Sequence, residues 1–327
     1  MEPPSARGAA RRCLRWGPMR VLIVSAFYPP QPAIASLRVH GCACAWADAG
    51  EDVTVLTTTK RPDQRGGPAE SPGVRVVEVP YRASVFAEWL RREAGERGMR
   101  TGAAGVTDGP RGRSGPLARW RARSGVYAGV RMPDLTDAWV TPAVEAGLAL
   151  AEGEPFDVVM ASSGPYTTLL VANRLKQLGA ARRFVAEFRD LWTANHLARG
   201  VFPLTLRERA LERAVLREAD LLVTVSEPLA EWLRNRSTSP VEVIYNGHTG
   251  TPPSGPSSTR LVDPGRLVYT GTLYPAGQDA APLMDALARL RQGSPALADR
   301  IRLTVAGSSG AEWRRAARDA GVEHAVE

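Results

Sequence analysis

Cysteine and histidine are scarce in this chain of 327 residues, and long apolar runs are missing. Three cysteines leave no even set for a disulfide framework. Cys42 and Cys44 stand two apart on a predicted helix, so they point to different faces and do not bridge. No second cysteine pair or nearby histidine completes a zinc site, and the four histidines include no ligand-spaced partners for His40 or His196. Reduced thiols in a cytoplasmic protein are the expectation. No segment approaches the roughly 20 apolar residues of a membrane span. Arg11, Arg12 and Arg15 resemble the basic start of a secretory signal, but the apolar stretch behind them, Val21 to Phe27, is short and ends in Pro29-Pro30. Residues 1–18 read as a disordered basic tail, with Met19 a candidate working start. A Gly-x-Gly-x-x-Gly turn after the first strand and an acidic end to the second strand are also missing. Tyr28-Pro29-Pro30-Gln31-Pro32 and Thr57-Thr58-Thr59 stand there instead, which argues against a nicotinamide oxidoreductase.

What is present is ordinary globular composition, 44% apolar and 23% charged, at a length that suits two α/β domains. The net charge of +8 is carried almost wholly by arginine and is densest from Arg91 to Arg131. A solvated basic surface explains it. Peripheral contact with anionic lipid or a phosphorylated acceptor is the sharper alternative. No nucleic-acid motif accompanies the charge and aromatics are not interleaved with it, so nucleic acid is not expected as a partner.

The clearest organisation is at Met19 to Leu56. Arg20 to Ser25 reads as a buried strand, a helical pattern runs to Ala49, Gly50 stops it, and Asp52 to Leu56 reads as a second strand. Further strands are predicted at Val74–Val79, Asp157–Ala161, Arg183–Phe188, Asp220–Val225 and Val241–Tyr245. They are short, β-branched and continuously apolar, as parallel strands covered on both faces are. Thr205 to Ala219 is a helix, with Thr205 and Glu208 forming a capping box and Leu206, Ala210, Leu211, Ala214 and Val215 its apolar stripe. Ser226 caps the next helix, with Pro228 in its first turn. This alternation predicts an α/β fold, a doubly wound parallel sheet. An Arg- and Gly-rich insertion at about 81–136, with a helix at 84–96 and a loop at 97–116, either serves a second substrate or is a tolerated surface excursion.

Thr251-Pro252-Pro253-Ser254-Gly255-Pro256-Ser257-Ser258 marks a linker over 248–264. Behind it come a strand (266–270), a helix (280–291), a strand (301–306), a Gly307-Ser308-Ser309-Gly310 turn and a helix (311–320). Two strands and two helices are too little for an independent domain. Residues 265–327 therefore read as an incomplete second domain, cut off beside a first domain of residues 19–247.

Several segments, in order, carry a family resemblance. They are Tyr28-Pro29-Pro30 after the first strand, Phe188-Arg189-Asp190-Leu191-Trp192 after the fifth, Ala219 to Ser226, Val243-Ile244-Tyr245-Asn246-Gly247, Tyr269-Thr270-Gly271-Thr272-Leu273, and Leu303 to Ser308. Together they resemble retaining GT-B glycosyltransferases of the family 4 type. The resemblance implies two Rossmann-like domains facing across a cleft, the first receiving a hydroxyl acceptor and the second binding a nucleoside diphosphate sugar. It implies no cofactor, with helix N-termini, backbone N–H groups and cations rather than a metal stabilising the departing diphosphate. It implies catalytic roles for Asp190 and Arg189. It places Gly271, Thr272, Gln278, Gly307, Ser308 and Asn246 toward the donor, and Tyr28, Pro30, Arg38 and Ser163 toward the acceptor. Plainer roles stand beside these. Asp190 can cap a turn or pair with Arg189, Ser163 can cap a helix, Arg38 can sit exposed on the surface, and both glycine turns can be ordinary βα connections.

The chain departs from the family pattern at two points. Thr272 follows Gly271 where relatives carry arginine, and no lysine or arginine occurs before Arg289. The family's later carboxylate pair has no counterpart up to Glu327. These departures keep a second hypothesis open, an acceptor-binding protein without turnover. The inner face of the cytoplasmic membrane is the location a lipid-linked acceptor implies.

Overall fold

The computed structural model describes residues 17–67, 71–82, 116, 120, 126, 131–132, 134–247, 265–271, 273, 278–307 and 309–327. The expected linker at 248–264, the predicted helix at 84–96, nearly all of the loop at 97–116, and the tail up to residue 16 lie outside these residues.

Seven strands form one parallel sheet: β1 (Arg20–Val24), β2 (Asp52–Thr58), β3 (Val74–Val79), β4 (Phe156–Ser162), β5 (Ala181–Phe188), β6 (Leu221–Thr224) and β7 (Val241–Val243). Their order is β3-β2-β1-β4-β5-β6-β7, the doubly wound arrangement that the sequence predicts. The helices between them are α1 (Ile34–Asp48), α2 (Val140–Leu150), α3 (Thr167–Gln177), α4 (Leu204–Glu218) and α5 (Glu227–Arg234). Strand alternation sends β1 into two cores. Leu22 and Val24 join Leu56, Val159, Phe184 and Trp192 on one face, while Val21 and Ile23 join Val39, Val53 and Val55 on the other. Gly50 takes φ 92, which lets α1 stop and β2 begin two residues later.

A second sheet pairs β8 (Arg266–Thr270) with β9 (Arg302–Ala306), also parallel. With it come α6 (Ala281–Gly293), the short α7 (Pro295–Ala298) and α8 (Gly310–Asp319). Met284, Leu287, Leu303, Trp313, Ala317 and Val322 make its core. Beyond α8 the chain returns alongside β9, where Leu303 and Val326 form a parallel bridge.

Helix α4 corrects two expectations. Its N-cap is Pro203 with no side-chain bond, so Thr205 and Glu208 form no capping box. Its buried residues are Glu208, Glu212, Val215 and Leu216, while Leu206 and Ala210 face out. The stripe is rotated because two carboxylates have partners inside. Arg131 Nε donates to both oxygens of Glu208 at 2.9 Å, and its Nη2 reaches Oε2 as well. The N–H of Thr193 donates to Glu212 Oε1 at 3.1 Å. An apolar count along the helix cannot anticipate that. Ser226 does hold the N-cap position of α5, with Pro228 in the first turn, but its hydroxyl makes no cap bond. Cys42 and Cys44 are free thiols, as their spacing requires.

Candidate functional site

In an open parallel sheet the crevice lies beyond the carboxyl ends of the strands, where the strand order reverses; here that is between β1 and β4. The chain leaving β1, β4, β5 and β7 supplies its walls. At their centre Glu187, the penultimate residue of β5, is buried. It accepts from the Ser162 hydroxyl and from Arg38, whose Nε and Nη2 lie 2.9 Å and 2.8 Å from Oε1. Arg38 Nη2 also donates to the Ile244 carbonyl at 2.8 Å, and Nη1 to the Tyr245 carbonyl at 3.0 Å and Asn246 Oδ1 at 3.3 Å. Every N–H of the guanidinium is thereby engaged, and the side chain is only 12% exposed. This corrects both expectations for Arg38. It is neither a surface cation nor a free phosphate ligand, but the tie between α1, β5 and the exit from β7. Asn246, expected toward the donor, is exposed and held by that tie.

Arg189 follows directly. Its Nε donates to the Ser163 carbonyl at 2.8 Å, Nη2 to the Gly164 carbonyl at 3.2 Å and Nη1 to the Ala35 carbonyl at 3.4 Å. Burial lowers its pKa from the usual guanidinium value. It does not pair with Asp190; it braces the turn after β4 against the start of α1. Ser163 is buried, its hydroxyl accepting from the Arg189 N–H at 3.1 Å. It is no helix cap, since α3 starts at Thr167 behind Tyr166. Asp190 itself is exposed. No hydrogen bond or ion pair of its carboxylate is found among the described residues. Trp192 turns inward and stacks on Tyr166, ring centroids 4.9 Å apart at 3°. The Tyr166 hydroxyl donates to the Leu191 carbonyl at 2.7 Å. The loop that presents Asp190 thus rests on a buried aromatic pair.

The first loop departs from expectation too. Tyr28 is fully buried, its hydroxyl donating to Ser71 Oγ at 3.1 Å, and burial raises its pKa. Packing, rather than acceptor contact, is what the ring does here. Pro30 is half-buried, and its carbonyl accepts from the N–H groups of Gly66 and Gly67 at 3.1 Å and 2.7 Å. A residue that pattern reading passed over stands nearby. Lys60, one of two lysines in the chain, is buried. Its Nζ donates to the Ala26 carbonyl at 2.7 Å and to the Thr57 and Thr58 hydroxyls at 2.9 Å each. Burial lowers its pKa to about 7. It pins the chain leaving β1. The signal in the sequence was its rarity beside a threonine run.

On the second sheet, Gly271 and Gly307 close off β8 and β9. Gly271 takes φ 139, and its N–H donates to the Ala306 carbonyl at 3.1 Å. A Cβ built at Gly307 would lie 1.9 Å from the Gly271 carbonyl oxygen, so only glycine fits. Ser309, at the N-cap of α8 and buried, accepts the Leu273 N–H on Oγ at 2.7 Å. The two loops are therefore one paired unit in front of the N-terminus of α8. Both glycines and Gln278 are exposed, while Thr272 and Ser308 lie outside the described residues.

Comparison with known proteins fits this frame. A profile of the glycosyl transferase 4-like domain family matches residues 35–247. No curated protein sequence matches the chain. Among solved structures, sucrose-phosphate synthase from Thermosynechococcus elongatus is similar with a TM-score of 0.55 at 16% identity, over 95% of this chain and 70% of that one. The catalytic domain of starch synthase IV from Arabidopsis thaliana, bound to ADP and acarbose, is similar with a TM-score of 0.53 at 12% identity, over 95% of this chain and 74% of that one. At such identities the structural likeness speaks to the GT-B fold, and the profile speaks to the family: the chain belongs to the glycosyl transferase 4-like family.

Proposed function

We propose that this protein transfers a sugar from a nucleoside diphosphate donor to a hydroxyl acceptor with retention of anomeric configuration, and that it does so without a divalent metal. The observation that carries the donor half is the paired loop unit of the second sheet. Gly271 and Gly307 leave backbone unscreened by side chains ahead of the N-terminus of α8, where unpaired N–H groups and the helix dipole favour an anion. In the reaction the bond from the anomeric carbon to the β-phosphate oxygen breaks and the diphosphate leaves with the bonding pair. The acceptor oxygen bonds to that carbon on the same face, and its proton passes to the departing diphosphate. Dipoles fixed at the diphosphate stabilise the charge that grows there. Asp190, exposed at the end of β5, supports the cationic anomeric carbon or orients the acceptor hydroxyl, and Arg189 acts by holding the wall beside it.

A second reading, an acceptor-binding protein without turnover, is favoured by the absence of a lysine or arginine between Gly271 and Arg289. Thermal-shift titration with UDP, GDP, dTDP and ADP, with and without magnesium, separates the two. A saturable rise in melting temperature with one nucleoside diphosphate, unchanged by magnesium, is the expected result. No rise with any of them hands the case to the second reading, and a rise only with magnesium overturns metal independence.

A further inference from the structure

The outward face of α4 has a composition that its sequence conceals. Leu204–Glu218 contains Glu208 and Glu212 among its arginines and so reads as charge-balanced. Both glutamates are turned inside, Glu208 against Arg131 and Glu212 against Thr193. What remains outside is Leu206, Arg209, Ala210, Arg213 and Arg217, at spacings of three and four that form one stripe. Arg199 and Arg207 are exposed beside it, and Phe202, just ahead of the helix, is 75% exposed, with Leu206 at 54%. Arg217 pairs with Glu218, and Arg207 lies near Asp137. Arg199, Arg209 and Arg213 meet no carboxylate among the described residues.

We infer that this face docks on an anionic lipid surface. Exposed arginines with no exposed acid between them among the described residues supply the attraction to lipid headgroups. Phe202 and Leu206 supply apolar bulk to enter the headgroup boundary, which an aqueous or nucleic-acid partner would not reward. Because α4 begins on the carboxyl side of β5, Phe202 and Leu206 sit at the same edge of the sheet as Asp190. A docked protein would hold its crevice edge toward the lipid. The docking itself does not rest on the transfer reading, since it uses neither the glycine loops nor Asp190.

The test is flotation of the full chain with vesicles of equal parts phosphatidylglycerol and phosphatidylcholine, against phosphatidylcholine alone. Wild type should float with the anionic vesicles only. R209Q/R213Q should weaken partition about tenfold or more. F202S/L206S should weaken it too, with the melting temperature and nucleotide titration unchanged. R315Q/R318Q on α8, the same loss of charge elsewhere, should float like wild type. No flotation of wild type, equal flotation of all four proteins, or binding of a DNA duplex through these arginines with vesicle binding unaffected would overturn the proposal.

Discussion

The two sheets stand in different relations to water. The seven-stranded sheet is covered on both faces, with Leu22 and Val24 in one core and Val21 and Ile23 in the other. The two-stranded sheet has one core, around Met284, Leu303 and Trp313, and Val268 in its first strand is 59% exposed. The polar groups differ in the same way. At the carboxyl edge of the large sheet, Glu187, Arg38, Arg189, Ser163 and Lys60 are bonded to the protein itself, and Asp190 is left open. At the same edge of the small sheet, exposed glycines and a helix N-terminus face outward. The first sheet devotes its charged residues to holding a rigid wall, while the second offers backbone.

The largest expected effect breaks the rigid side. Arg131 and Glu208 are each 1% exposed, and R131A leaves a buried carboxylate without its counterion. Breaking such a pair costs about 3–5 kcal/mol, to be read as a fall in the denaturant midpoint with the slope unchanged. A matched pair of truncations compares the two sheets directly. L22A, in a strand with no exposure at that residue, should cost about 2–5 kcal/mol. V268A should stay within about 0.5 kcal/mol. Equal losses would mean that Val268 is covered in solution.

A smaller effect is expected from G307A. The added methyl meets the Gly271 carbonyl, so the loops must part, at about 1–3 kcal/mol in the melting experiment. Nucleotide binding should be lost more completely than stability.

A separate effect, read as a pH dependence, concerns Lys60. Its folded pKa of about 7 lies below the ~10.4 of an exposed lysine. Between those values the unfolded chain binds the extra proton, so this residue makes stability rise with pH from about 7 to about 10. In K60M that part of the rise should vanish, seen by comparing denaturant midpoints of both proteins at neutral and alkaline pH.

Much of this fold was legible in the sequence. Continuous β-branched runs gave the strands, because parallel strands buried on both faces need no polar alternation. Gly50 and the glycine turns marked chain reversals. The site was less legible, for a definite reason. Arg38, Ser163 and Tyr28 stand where ligand-binding side chains would stand, and the sequence shows their position but not their partners. Glu187, 149 residues from Arg38, decides what Arg38 does. Glu208 read as half of a capping box because Arg131, its partner, lies 77 residues away in the chain. Gly307 was legible as a turn residue, while the reason it must be glycine, the Gly271 carbonyl, appears only once β8 and β9 are paired.

In the proposed function the paired loops of the second sheet hold the diphosphate of a nucleotide-sugar donor. Calorimetric titration of wild type and G307A with UDP, GDP, dTDP and ADP tests it most directly. One nucleoside diphosphate should bind wild type with a single-site isotherm and fail to bind G307A while that variant remains folded by circular dichroism. Binding to neither protein, or equal binding to both, would contradict the claim.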